Sequence, residues 1–150
     1  MITYKKGNLL ADDAWALVNT VNTAGVMGKG VALAFKNAFQ HNFKVYKNTC
    51  KVGELKPGVL LPVKDSNLLL GEKIIVNLPT KTHWRFPSEY EYIEVGLSAL
   101  RQWITTYNVE SIALPALGCG NGGLDWARVK QMIEAHLDQL PVDIRVYEPA

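Results

Sequence analysis

The stretch VNTVNTAGVMGKGVALAFK, Val18 to Lys36, constrains the fold more than any other segment of the chain. It opens with the apolar, β-branched content of a buried strand and closes with the period of an amphipathic helix. Between the two lies a polar segment broken by Gly25, Gly28 and Gly30, for which no hydrophobic packing supplies a reason. A strand that passes through such a loop into a helix is the basic unit of a sheet covered by helices.

The rest of the chain repeats the alternation. Strands are expected near Ile2 to Lys6, Ala14 to Val21, Gly58 to Lys64, Lys73 to Leu78, Ser111 to Leu117 and Asp143 to Tyr147. A helix over Lys29 to Phe39 would present Val31, Leu33, Ala34, Phe35 and Ala38 on one face, and a short one over Phe43 to Cys50 would follow a break at His41-Asn42. A third, Ser88 to Tyr107, starts at a Ser cap with early glutamates and turns Ile93, Leu97, Leu100, Trp103 and Ile104 inward. The last, Leu124 to Leu140, buries Trp126, Val129, Ile133 and Leu137 and stops before Pro141. Trp15, Trp103 and Trp126 read as core, and Lys5 and Lys6 as a solvated strand end. The expected fold is a three-layer α/β/α domain with a central mixed or mainly parallel sheet.

At 150 residues the chain has the size of one domain with one core, so residues 1–150 are read as a single unit. Sixteen basic and fourteen acidic side chains leave a net charge of +2, too little for a whole-protein field that captures nucleic acid; any polyanion must be read locally. Cys50 and Cys119, far apart in sequence, fit reduced thiols better than a disulfide framework. No segment approaches the length of apolar chain that crosses a bilayer, so a cytoplasmic protein without a membrane partner is expected. His41, His83 and His136 are spread apart and no HExxH or paired CxxC occurs, so no metal site and no cofactor are called for.

Ligands of such sheets sit beyond the carboxyl ends of the strands. Two loops stand there: Asn19 to Gly30, and LGCGNGGL, Leu117 to Leu124, with four glycines in eight residues. Helix N-termini and glycine-rich turns offer amide donors that form a concave nest for phosphate oxygens. A tight strand-to-helix turn needs the same residues, but two such loops at equivalent positions favour an anion. Neither reads GxxxxGK[ST], and GVMGKG lacks the GxGxxG spacing, which sets nucleotide hydrolysis and hydride transfer aside in favour of a diphosphate held without a Walker motif.

KGNLL, VNTVNTAGVMGKGVALAFK and ALPALGCGNGGLDW, in that order and spanning nearly the whole chain, resemble the macrodomains, modules that bind ADP-ribose. Together with NLPTKTHWR, they resemble the branch holding the terminal ADP-ribose protein glycohydrolases and, more closely, the DarG-type DNA ADP-ribosyl glycohydrolases. The latter are antitoxins that remove ADP-ribose attached by a partner toxin, a DNA ADP-ribosyltransferase, to thymidine bases of single-stranded DNA; they usually carry a further domain after the macrodomain.

The resemblance implies roles for particular residues. Asn8 and Leu9 would contact adenine, with Asn8 standing where many macrodomains have an acid. Asn22 and Thr23 would face the distal ribose, Gly30, Val31, Ala32 and Leu33 the distal ribose and diphosphate, and Thr80 the same cleft. Gly118, Cys119, Gly120, Asn121, Gly122, Gly123 and Leu124 would close over the diphosphate.

Lys81 stands where the resembling glycohydrolases place an essential lysine; without the resemblance it reads as a solvated loop lysine. Two roles fit it: an ammonium that protonates or stabilises the departing base, or a neutral amine that attacks the anomeric carbon. Protein glycohydrolases pair this lysine with an aspartate where this chain has Gly122, and Asp125 reads as a helix cap, not a replacement acid.

His83 fits either an auxiliary proton-transfer role or an exposed loop. Trp84 and Arg85 offer stacking and phosphate contact to DNA. Cys119, among free amides but without a partner His, reads as a packing residue behind the phosphate loop rather than a nucleophile. The expectation is therefore a DNA ADP-ribosyl glycohydrolase acting as a monomer, with a hydrolase for glutamate-linked protein ADP-ribose and a non-catalytic ADP-ribose reader as the alternatives.

Overall fold

In the computed structural model, which describes residues 1–150, the strands are β1 (Ile2–Lys5), β2 (Ala16–Asn22), β3 (Leu61–Asn67), β4 (Gly71–Lys81), β5 (Ser111–Pro115) and β6 (Asp143–Tyr147). The helices are α1 (Gly30–Ala38), α2 (Gln40–Lys51), α3 (Tyr90–Thr106) and α4 (Trp126–Leu137), with 3-10 turns at Leu9–Ala11 and Gly120–Gly122. The six strands form one sheet in the order β1-β6-β5-β2-β4-β3, parallel throughout except for β3, which pairs antiparallel with β4.

Strand side chains alternate between two helix layers because the sheet is covered on both faces. Val18, Val76, Leu78, Ile112, Leu114, Ile144 and Val146 join α3 and α4 residues in a cluster of 18 buried side chains. Leu17, Ile75 and Ala113 point the other way, to Phe35 and Phe39. Near the strand ends on that same side, Val21 meets Met27 and Tyr46. This is the expected three-layer mixed-sheet architecture.

The layers also place the site. After β2 the chain leaves to the α1–α2 face, whereas after β4 and β5 it leaves to the α3–α4 face. β2 lies between β5 and β4, so the loops after these three adjacent strands part to opposite sides and open a crevice at their carboxyl ends.

Several expectations need correction. β4 runs on to Lys81 instead of ending at Leu78, because it stays paired with β2 across an irregularity: Val21 pairs with Pro79 but Asn22 with Lys81, so Thr80 is the extra residue of a bulge. β3 starts at Leu61, not Gly58, and extends through the polar Asp65–Asn67, as a sheet edge permits. The break between α1 and α2 falls at Phe39; His41 and Asn42 lie inside α2.

Residues 31, 35 and 38 face the core at helical spacing, whereas Leu33 and Ala34 fall off that stripe and are exposed. Glu89, not Ser88, is the N-cap of α3, and it makes no side-chain cap bond. Trp15 is 46% exposed and stacks against Trp103, with ring centroids 6.3 Å apart, at the sheet's opposite end. Lys5 is not simply solvated: its Nζ donates to Asp12 Oδ2 at 3.2 Å.

Asp12 anchors the chain just before β2. Its carboxylate, fully buried, accepts from Tyr147 Oη at 2.6 Å, Arg145 at 2.6 Å, Lys5 at 3.2 Å and the Ala14 amide at 2.8 Å. Burial alone would raise its pKa, but the bonds from Tyr147, Ala14, Arg145 and Lys5 together outweigh burial and bring it down from 3.8 to about 2. A carboxyl whose pKa is lowered on folding contributes stability above its unfolded value and loses it as pH falls through the folded one. Unfolding free energy is therefore expected to drop by about 2 kcal/mol between pH 4 and pH 2 from this group, and in an Asp12→Asn variant denaturant titrations should show that acid limb flattened.

Candidate functional site

The first wall of the crevice is ordered by one carboxamide. Asn22, the last residue of β2, donates from Nδ2 to Val26 O at 2.8 Å, and its Oδ1 accepts from the Ala24 amide at 3.0 Å and the Val26 amide at 3.4 Å. Tyr46 of α2 reaches the same residue, its Oη 2.8 Å from Asn22 O and 2.9 Å from Oδ1. Burial pushes the Tyr46 phenol well above its usual range, so it stays a donor. Beneath lies a second amide cluster. Asn77 Nδ2 donates to Asn42 Oδ1 at 2.7 Å and to Leu61 O at 3.0 Å, while Asn19 and Asn42 donate to Asn77 Oδ1 at 3.3 and 3.2 Å. β2, β4, α2 and β3 are thereby locked under the loop.

The loop then delivers α1 end-on. No side chain caps this helix, and its first intrahelical bond runs from the Leu33 amide to Lys29 O at 3.2 Å, so the amides of Gly30, Val31 and Ala32 have no protein acceptor. Positive partial charge at such a terminus suits an anion.

The opposite wall is the loop between β5 and α4. Its internal bonds use the amides of Cys119, Gly123 and Leu124, and leave those of Gly118, Gly120, Asn121 and Gly122 without a protein acceptor. The walls nearly touch. Gly30 has φ of 56°, and a Cβ there would lie 3.1 Å from Asn121 Nδ2. Any larger residue would be strained in backbone and would press on the facing loop.

Between the walls lies a cavity of about 540 Å³. Lys29 and Lys81 are its charged lining residues; no carboxylate faces it. Lys81, half-buried at the bulged end of β4, donates from Nζ to Asn121 O at 3.1 Å and has no carboxylate within ion-pairing distance. Thr23 Oγ1 donates to Thr82 O at 3.0 Å, tying the first loop to the segment after Lys81.

The chain matches the family model described as Macro domain over residues 18–133. This chain belongs to the macrodomain family. A DNA ADP-ribosyl glycohydrolase of Mycobacterium tuberculosis is 50% identical to it over 151 residues, covering 100% of this chain and 43% of the relative. The chain thus spans less than half the length of that protein. The solved macrodomain of Mycobacterium tuberculosis DarG is similar to it with a TM-score of 0.95 at 49% identity, covering 100% of this chain and 99% of the other. Thermosipho africanus DarTG in complex with ADP-ribose is similar with a TM-score of 0.91 at 34% identity, covering 99% of this chain and 41% of the other.

Within this macrodomain, Asn22, Gly30, Val31, Ala32, Thr80, Lys81, Trp84, Gly118, Cys119, Gly120, Asn121 and Gly122 all line the one cavity. Thr23, Leu33, His83, Arg85, Gly123 and Leu124 do not, and neither do Asn8 and Leu9. Asn8 Oδ1 caps the first 3-10 turn by accepting from the Leu10 amide at 3.1 Å, and Leu9 is buried against the α1 face of the sheet. Leu33 points to solvent, and Leu124 packs where a Cβ on Gly118 would fall. Arg85's backbone amide donates to His83 Nδ1 at 3.1 Å, so a neutral His83 carries its proton on Nε2 and can only donate from there.

Asp125 caps α4, accepting from the Arg128 amide at 3.1 Å. Burial, with the Asp125 carboxylate adding, pushes the Cys119 thiol up to about 11, so at neutral pH it is a thiol and not a nucleophilic thiolate. Cys50 and Cys119 are both free.

Thr20, Val21, Val26, Gly28 and Lys29 also line the cavity, within the Asn19 to Gly30 loop that the sequence sets beside the ligand, whereas sequence reasoning missed Ser88, Pro115 and Ala116 altogether. Pro115 and Ala116 were findable, since they end β5 at the carboxyl edge where ligands sit. Ser88 was not. Its backbone amide donates to Gly122 O at 3.0 Å, and its buried Oγ, without a hydrogen-bond partner, stands where a side chain at 122 would go. A Cβ on Gly122 would lie 2.4 Å from that Oγ and 2.9 Å from Ser88 Cβ.

Position 122 therefore excludes a side chain while Ser88 is present. Gly122→Asp is expected to lower unfolding free energy by about 1–3 kcal/mol, the usual cost of overpacking, and Ser88→Gly in the same chain should recover much of the loss, a coupling that a double-mutant denaturation cycle measures.

Proposed function

We propose that this macrodomain is a DNA ADP-ribosyl glycohydrolase that removes ADP-ribose from thymidine bases of single-stranded DNA, opposing a DNA ADP-ribosyltransferase toxin. The observation that carries the reading is the Lys81 amine on the wall of a carboxylate-free cavity between two amide-lined loops. The 50% identical relatives named as DNA ADP-ribosyl glycohydrolases support it, as does the Thermosipho africanus relative named as a fusion of that activity with a DNA ADP-ribosyl transferase, 34% identical.

In this reading the diphosphate lies between the free amides of Gly30 to Ala32 and those of Gly118, Gly120, Asn121 and Gly122. By the family resemblance adenine would extend beyond the cavity lining toward Asn8 and Leu9, and the distal ribose would lie toward Thr23 and against Asn22 and Thr80, which line the cavity beside Lys81. Gly123 and Leu124 support the second wall from behind, whereas Leu33 faces solvent and takes no part in the first. Lys81 leaves the Asn121 carbonyl and donates to the departing thymine. The glycosidic C–N bond breaks with its electron pair going to the base, water adds to the sugar, and the base takes up a proton. An ammonium beside that leaving group stabilises the charge that develops on it, while Lys29 adds to the cation field that holds the diphosphate. His83 Nε2–H is a second donor at the cavity mouth, and Trp84 and Arg85 meet the DNA.

Gly122 favours a DNA substrate over a glutamate-linked one: Ser88 fills the space where the protein glycohydrolases would carry an acid, so no second carboxylate is available to activate water or an ester. The test is release of ADP-ribose from thymidine-modified single-stranded DNA and, in parallel, from glutamate-modified protein. The parent is expected to act on DNA, and Lys81→Ala to lose on the order of 10²-fold or more in kcat while ADP-ribose affinity by calorimetry changes little. Release from protein alone, or an undiminished Lys81→Ala, would refute the proposal.

A further inference from the structure

The four residues His83 to Phe86 make a turn closed by the Phe86 amide donating to His83 O at 3.1 Å. Their side chains form one aromatic group. The His83 ring stacks on Trp84 with centroids 5.2 Å apart and planes at 28°, and lies 5.3 Å from Phe86. The Arg85 guanidinium lies over the Trp84 ring at 4.7 Å, on its cation-attracting face. None of these side chains joins a hydrophobic core cluster, and Trp84 and Phe86 are 45% and 58% exposed. Trp84 lines the cavity and Phe86 does not, so the group begins inside the site and continues out of its mouth.

Folding alone gives no reason to leave two large rings in water beside a cavity. A ligand that is planar, aromatic and linked through an anionic backbone to whatever occupies the cavity would satisfy the rings and the guanidinium together. A nucleobase one step along a single strand has those properties, and a base held inside a duplex has its faces covered by its neighbours. A phosphate joining it to the modified nucleotide would pass the Arg85 guanidinium.

We infer that the exposed ring of Phe86, with the half-buried His83 ring packed against it, forms a stacking subsite for the nucleobase adjacent to the modified one. The inference rests on the proposed DNA reading and extends it: the substrate is a single-stranded oligonucleotide, bound by at least one base beyond the ADP-ribosylated thymidine. Trp84, with the Arg85 guanidinium over its ring, forms the inner end of the same platform, and Phe86 the outer end.

The experiment compares kcat/KM on a single-stranded oligonucleotide carrying one internal ADP-ribosylated thymidine with kcat/KM on the ADP-ribosylated thymidine mononucleotide. It uses the parent, Phe86→Ala and Phe86→Trp. The parent is expected to prefer the oligonucleotide. Phe86→Ala should cut that preference by roughly tenfold, the scale of one base–aromatic stack, through KM and not kcat, and Phe86→Trp should restore it. A parent with no preference, or a preference that survives Phe86→Ala, overturns the subsite while leaving the DNA reading intact; in the second case the rings serve another occupant, such as a protein surface. A parent that releases ADP-ribose from neither substrate overturns the DNA reading itself, and the subsite with it.

Discussion

The carboxamide of Asn22 is the constraint on which the rest of the site depends. It ends the central strand of the crevice, takes the Ala24 and Val26 amides, gives a hydrogen to Val26 O, and lies within bonding distance of the buried Tyr46 hydroxyl. A glycine-broken loop has little intrinsic reason to hold one shape, since glycine adds backbone freedom that folding must remove. Satisfying donors and acceptors of this side chain inside the protein is what fixes the path of the loop, and so fixes where the unbonded amides at the start of α1 stand. Its role is thus architectural first, although it also lines the cavity.

From that wall the chemistry follows by juxtaposition. A parallel sheet brings the ends of β2, β4 and β5 side by side, the helices leave on opposite faces, and three loops distant in sequence share one crevice. The bulge at Thr80 matters because period-two alternation would otherwise decide which face Lys81 takes. The Lys81 amine is held by the Asn121 carbonyl, on the second of the two walls that would enclose a diphosphate. Electrostatics favour that ligand without a metal-binding cluster in the chain: lysines and peptide hydrogens line the cavity and carboxylates are kept out of it.

Much of this was legible in the residues. The strands of the sheet interior announce themselves because both of their faces are buried, as with Leu17 and Val18 or Ile75 and Val76, and Asp125 before Trp126 reads as a cap in sequence and in space. The edge strand β3 was misplaced because Asp65, Ser66 and Asn67 look like a loop when only one side is packed. Leu33 and Trp15 show the limit of hydrophobicity as a guide: both are apolar and both face water. The two glycine loops were visible as motifs, and Lys81 only through the family resemblance of NLPTKTHWR. Ser88 was not, since what makes it part of the site is a contact with Gly122 across a separation that no local pattern encodes.

The central claim is that amides of two separate loops grip one pyrophosphate. Backbone amide chemical shifts followed by two-dimensional NMR during titration with ADP-ribose test it directly. The signals of Gly30, Val31 and Ala32 and those of Gly118, Gly120, Asn121 and Gly122 are expected to move together along one saturable binding curve, while amides at the Trp15 end of the sheet stay still. Perturbations confined to one loop, or centred on the Trp15–Trp103 end, would contradict it.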